Sequence, residues 1–199
     1  IVYIIYNKIL NANRKKKITE IEKKEVFNIV FTNNNNFTVG FYNFGGYIDK
    51  ILVPLFGKNN LREDILLGYN NFKDFLSDKS YLNCIIGRVC GRIKNSKFVL
   101  KNNQYNLYAN DGKNHLHGGN IGFNKKIWTI ENLNQTSNYL SCDLVYRSVH
   151  LDEGYPGNLE CKVNYSLNNN NEFKIEFKAE SDQDTIINLT NHNYWNFHG

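Results

Sequence analysis

Leu159-Glu-Cys-Lys-Val-Asn-Tyr-Ser-Leu167 alternates apolar and polar residues without a break, and after a polar turn at Asn168–Asn171 the rhythm resumes with Phe173, Ile175 and Phe177. A period of two puts Cys161, Val163 and Tyr165 on one face of a strand. The turn folds the two segments into a hairpin. Working outward, Lys126–Ile130 and Tyr139–Val149 read as the strands before it, and Ile186–Leu189 as a final strand after it. Upstream, Val26–Val30 and Phe37–Phe41 alternate across Thr32–Asn36. Tyr47–Leu55 is a strand ending near Pro54, Phe56–Asp64 a loop and Ile65–Leu67 a short strand. Phe98–Leu100 and Tyr105–Leu107 flank Lys101–Gln104 as a second hairpin. Cys84–Val89 is apolar enough for a strand buried on both faces. Within the strand pattern, Asn71–Leu76 suggests one helical turn or two. Many short strands with almost no helix define an all-β chain, an antiparallel sandwich or barrel. The asparagine tracts fall at turns and read as neutral insertions.

The 199 residues suffice for one core or a large part of a bigger one. Residues 1–24 look like an N-terminal extension: an apolar start, Ile1–Tyr6, read as a strand or a disordered extension, then a lysine-rich, helix-prone or disordered stretch. Residues 25–199 carry the strand pattern. A chain that opens at Ile1 and contains no methionine is expected to be a piece of a longer product. The net charge of +5 is modest, and its densest run, Arg14–Lys17, has neither an aromatic ladder nor a basic helix beside it, so nucleic acid is not an expected partner. No apolar run is long enough to span a bilayer as a helix. Cys84, Cys90, Cys142 and Cys161 form no C-x-x-C pair and have apolar neighbours, as expected of buried free thiols in a reducing compartment. The cytoplasm is the expected location.

Two histidine segments carry the candidate chemistry. Thr190-Asn-His-Asn-Tyr-Trp-Asn-Phe197 sets His192 among hydrogen-bonding side chains that can hold one tautomer. It is either a general acid or base or a histidine satisfied at a strand end. Asn114-His-Leu-His-Gly-Gly119 sets His117 before two glycines, where backbone can approach a ligand closely. In an extended chain His115 and His117 share a face. A metal site there has no third ligand at sensible spacing, so no metal is expected. Arg88 and Arg92 lie in Gly87-Arg-Val-Cys-Gly-Arg92. An arginine inside an apolar strand needs a partner, and for Arg88 a structural ion pair is expected. Asp152–Gly157 reads as a loop capped by its own carboxylates.

Taken in order, these segments resemble the aldose 1-epimerase (galactose mutarotase) family. The landmarks are Gly45–Gly46 with Ile51–Pro54, Asp64–Tyr69, Ile86–Ile93, Asn114–Gly119 with Gly122–Phe123 and Trp128, Glu153–Asn158, and Ile187–Phe197. The resemblance runs from about residue 25 to the end. It implies a large antiparallel β-sandwich, here its N-terminal portion and incomplete at the C-terminus. The implied reaction interconverts the α and β anomers of a free hexose such as galactose or glucose, with no cofactor. One group takes the C1 hydroxyl proton while another protonates the ring oxygen, and the opened sugar closes on its other face.

By the same resemblance His192 is the acid at the ring oxygen, His117 hydrogen-bonds and positions the sugar, Arg92 contacts a hydroxyl and Tyr194 lines the cleft. Gly91 stands where the family usually has asparagine, so one hydroxyl contact is expected to be lost. Trp195 stands for the usual phenylalanine. The family's catalytic base, a glutamate, matches no residue here, so these 199 residues alone are expected to be inactive and poorly soluble. Two other readings are a non-catalytic carbohydrate-binding sandwich and a hexose-6-phosphate 1-epimerase, the latter calling for a basic cluster that Arg88 and Arg92 do not supply.

Overall fold

Strand formation begins earlier than the sequence suggests. The computed structural model describes residues 14–55, 57 and 61–198, so the expectation for Ile1–Tyr6 lies outside the described residues. The lysine-rich stretch expected to be helix-prone or disordered is strand β1 (Arg14–Ile21), paired antiparallel with β2 (Lys24–Thr32). The ammonium of Lys15 sits 4.0 Å over the Phe27 ring, a cation–π contact that anchors this edge strand. β3 (Thr38–Tyr42), β4 (Ile48–Pro54) and the short β5 (Arg62–Asp64) complete a five-stranded antiparallel sheet. Helix α1 (Phe72–Leu76) follows; the Asn71 side chain accepts from the Asp74 N–H at 3.0 Å and caps it.

The middle of the chain is built from short pieces: β6 (Ile85–Ile86), β7 (Arg92–Ile93), the hairpin β8 (Lys97–Leu100) and β9 (Asn103–Asn106), and β10 (His115–Leu116). A second sheet takes β11 (Thr129–Gln135), β12 (Tyr139–Ser148), β13 (Leu159–Asn168) and β14 (Phe173–Ser181) in sequence order. β15 (Thr190–Asn191) returns to pair with β6. Several expected strands are shorter or missing: β5 falls inside the expected loop Phe56–Asp64, Ile65–Leu67 makes only one bridge, Leu66 to Trp195, and only Thr129–Ile130 of Lys126–Ile130 is strand. Only Ile85–Ile86 of the Cys84–Val89 run is strand. Ile186–Leu189 is none; its Asn188 instead bridges singly to Val89, exchanging backbone bonds with Arg88 and Cys90.

The two large sheets face each other. Ile29, Phe31, Val39, Phe41, Ile48 and Ile51 from the first meet Leu140, Cys142, Leu144, Cys161, Val163 and Tyr165 from the second in one buried core. Tyr165 packs edge-on to Phe41, with ring centroids 4.8 Å apart, and donates its hydroxyl to Gly46 O at 2.7 Å. This is an antiparallel β-sandwich, one of the two architectures the alternation allowed and the one the resemblance implied. Cys84, Cys142 and Cys161 are buried and all four thiols are free; burial pushes the Cys142 and Cys161 thiols up to about 12.

The asparagine tracts are not neutral. Asn33, nearly fully buried, donates to Asn168 O at 2.8 Å and to Asn171 Oδ1 at 2.7 Å, and Asn35 donates to Asn169 O at 2.7 Å. These bonds latch the β2–β3 turn of one sheet to the β13–β14 turn of the other. The short amide side chain reaches carbonyls across the gap where an apolar residue would leave them unpaired.

Candidate functional site

The stretch from Asn83 to Ile93 works as a rail that receives both histidine segments. At one end β15 pairs with β6. The His192 N–H donates to Cys84 O at 2.9 Å, and the Asn83 N–H donates back to His192 O at 3.0 Å. At the other end β10 pairs with β7, and the His117 N–H donates to Gly91 O at 3.0 Å. The two imidazoles thus come together from residues far apart in sequence, with ring centroids 5.1 Å apart and planes perpendicular. The Tyr194 ring stacks on His192 at 5.1 Å, and its hydroxyl donates to Ser80 O at 3.0 Å.

The state of His117 is set locally. The Gly91 N–H donates to its Nδ1 at 3.1 Å, so Nδ1 is an acceptor and the neutral ring carries its proton on Nε2. Burial holds this imidazole below its usual range, and His192 and the Arg92 guanidinium push the same way. His117 is therefore a neutral donor at physiological pH. Gly118 has to be glycine: a Cβ there would lie 1.7 Å from Gly87 O. His117 itself has φ +51, a left-handed backbone that breaks the alternation, so it does not share a face with His115 as expected. His115 is fully buried between Tyr108 O at 2.7 Å and the Tyr155 hydroxyl at 2.6 Å.

Arg92 pairs with Asp111 (Nε to Oδ2, 2.7 Å) on the exposed side of the same rail and is near enough to be felt by His117. Arg88 is structural, but not through the expected ion pair. Its guanidinium is enclosed by Ser148 Oγ and the carbonyls of Ser148, Val149, Pro156 and Gly157, all at 2.8–3.0 Å. Asp152 makes no direct hydrogen bond to it and is linked through the Ser148 hydroxyl, which donates to Asp152 Oδ2 at 2.7 Å. Glu153 caps not its own loop, as expected, but the neighbouring one, accepting from the N–H groups of Asn120 and Ile121 at 2.9 Å each.

Two residues of this centre carry no sequence signal. Tyr81 lies against both imidazoles, 4.7 Å from His117 and 6.4 Å from His192 by ring centroids. Asn83 is fully buried; it accepts from the Tyr194 N–H at 2.8 Å and donates to Leu67 O at 2.8 Å. Tyr81 and Asn83 both have left-handed backbones (φ +58 and +52), strain of the kind that gathers at functional sites. A concavity of about 1260 Å³ lies elsewhere, on the polar outer face of β12, β13 and β14. Within it Asp143 accepts from Asn132 at 2.8 Å and Asn164 at 2.6 Å, and Lys162 lies 3.6 Å away. It lacks the convergent proton-transfer groups of the histidine centre.

The aldose 1-epimerase family profile matches residues 28–199. The chain belongs to the aldose 1-epimerase family. It is 36% identical over 168 residues to an aldose 1-epimerase of Haemophilus influenzae, which spans 84% of this chain and 47% of that protein. Over 136 residues it is 39% identical to galactose mutarotase of Sus scrofa, 68% of this chain and 38% of that protein. A crystal structure of galactose 1-epimerase from Lactobacillus acidophilus superposes with a TM-score of 0.82 at 29% identity, covering 92% of this chain and 52% of that one. This epimerase-family chain thus spans about half the length of the relatives it matches.

The buried histidines make stability pH-dependent. His115 and His117 are both held below the usual imidazole range, mainly by burial. The folded state binds their protons less readily than the unfolded state. Their contribution is complete above the unfolded value near 6.5 and is lost as pH falls through the lower folded values. Urea midpoints measured from pH 7.5 downward are expected to fall below about pH 6.5, and a His115→Asn variant to flatten that fall.

Proposed function

We propose that the intact protein is a mutarotase that interconverts the α and β anomers of a free aldohexose, galactose or glucose, within hexose metabolism in the cytoplasm. The observation that carries this reading is the perpendicular pair of imidazoles, one fixed as a neutral Nε2–H donor by Gly91 and the other free of side-chain hydrogen bonds among the described residues. His117 holds the sugar by donating from Nε2. His192 delivers a proton to the ring oxygen, and the C1–O5 bond breaks as the C1 hydroxyl loses its proton to a base. Rotation about C1–C2 and reversal of the proton transfers return the other anomer. Arg92, oriented by Asp111, binds a hydroxyl of the sugar, and Tyr194 forms a wall of the cleft. The base is assigned to a carboxylate outside residues 1–199, and no cofactor takes part.

The test is polarimetry of freshly dissolved α-D-galactose and α-D-glucose with the intact protein. A decay of rotation no faster than the spontaneous one overturns the assignment. Position 91 offers a second measurement. Gly91 has φ +84, which asparagine tolerates, and no atom lies within 4 Å of an added Cβ. Gly91→Asn puts an amide into the cleft and is expected to lower KM by ~2–10-fold, the worth of one added hydrogen bond.

A further inference from the structure

The ring beside the two histidines has no assigned part in this chemistry. The Tyr81 ring meets His117 at 61° to its plane, with centroids 4.7 Å apart, while the Gly91 N–H fixes the tautomer of the same imidazole. It also lies 6.4 Å from His192, so one side chain touches both members of the pair. Its hydroxyl is within reach of the Asn110 amide. Asn110 in turn binds the His117 turn three times: it donates to Leu116 O and Gly119 O at 2.9 Å each and accepts from the Leu116 N–H at 2.8 Å. At its base, Tyr81 O accepts from the Cys84 thiol at 3.2 Å, next to the carbonyl that receives the His192 N–H. The φ of +58 aims the ring at this junction, at a backbone cost a tyrosine does not meet without surrounding support.

We propose that Tyr81 is a positioning residue that seats the His117 imidazole against the Gly91 N–H and fixes its perpendicular orientation to His192; its kinetic consequence rests on the mutarotase reading. Tyr81 transfers no proton and acts through the imidazoles. Removing its ring leaves His117 free to swing off the Gly91 amide, mixing its tautomers and loosening the placement of the proton donor.

Tyr81→Ala and Tyr81→Phe in the full chain decide this by two measurements. In long-range proton–nitrogen NMR spectra, the wild type and Tyr81→Phe are expected to show His117 as a single Nε2–H tautomer, and Tyr81→Ala an averaged one. In mutarotation assays of the intact protein, Tyr81→Ala is expected to lower kcat by ~10–100-fold, the effect of a misplaced catalytic group, with KM little changed and Tyr81→Phe restoring the rate. A wild-type tautomer and kcat in Tyr81→Ala overturn the proposal; so does a Tyr81→Phe variant as impaired as Tyr81→Ala, because it keeps the ring contacts. If Tyr81→Ala loses its strand circular dichroism, Tyr81→Leu is judged by the same criteria. A wild type with no mutarotase activity refutes the function, while the NMR spectra still decide the role of Tyr81.

Discussion

Replacing His192 by glutamine in the intact protein is expected to lower kcat for mutarotation by ~10²–10⁴-fold, the range for loss of a general acid. Stability should barely change. The backbone of His192, not its ring, makes the bonds to Cys84 and Asn83, and a glutamine keeps both. The Tyr194 ring loses a stacking partner at 5.1 Å but keeps its bond to Ser80 O and its N–H bond to Asn83. Glutamine can still hydrogen-bond a sugar but cannot donate a proton as an acid, so KM should move far less than kcat. Circular dichroism and initial rates by polarimetry make the comparison. A glutamine variant with more than about one tenth of wild-type kcat excludes His192 as the acid.

The largest stability effect is expected at Arg88. Arg88→Met keeps much of the side-chain volume and removes the guanidinium bonds to Ser148 Oγ and the carbonyls of Ser148, Val149, Pro156 and Gly157, of which Val149 O keeps the Asp152 N–H at 3.0 Å. Each buried acceptor left unsatisfied costs about 1–3 kcal/mol. Relaxation and water recover part, so a net loss of about 3–5 kcal/mol is expected, a large share of a typical domain's stability. Burial lowers the affinity of this guanidinium for its proton, and the negative Asp152 opposes the shift, so the charge is retained. Arg88→Lys should recover only part, since an ammonium has three donors and no planar fork. Urea unfolding of the purified chain gives the differences, and a midpoint unchanged in Arg88→Met contradicts the carbonyl cage.

The sandwich was readable wherever one face of a strand is core and the other solvent. Cys161, Val163 and Tyr165 alternate because their neighbours Lys162 and Asn164 face outward, and that contrast is what a period-two pattern records. It fails where burial is set by something other than alternation. Arg14–Ile21 is a strand at a sheet edge, where lysines are tolerated and mask the pattern. Ile186–Leu189 is apolar yet forms no strand, because its bonds go to single carbonyl and amide groups of the 88–90 segment. The His117–His192 pair came from the ordered family landmarks, not from local pattern, since only long-range pairing along the rail brings the two rings together. Tyr81 and Asn83 were missed because their placement depends on left-handed backbone, which a tyrosine or asparagine does not announce. The partners of Arg88 are main-chain carbonyls, which no residue type encodes.

The spacing between the two imidazoles is measured off one continuous strip of main chain, through backbone bonds at Cys84 and Gly91. Side-chain identity on the outer faces of the two large sheets scarcely enters that measurement. Variation along this strip should therefore be judged by whether each amide and carbonyl keeps its direction; a conservative exchange that tilts one peptide plane would do more harm than a radical exchange on the outer sheet.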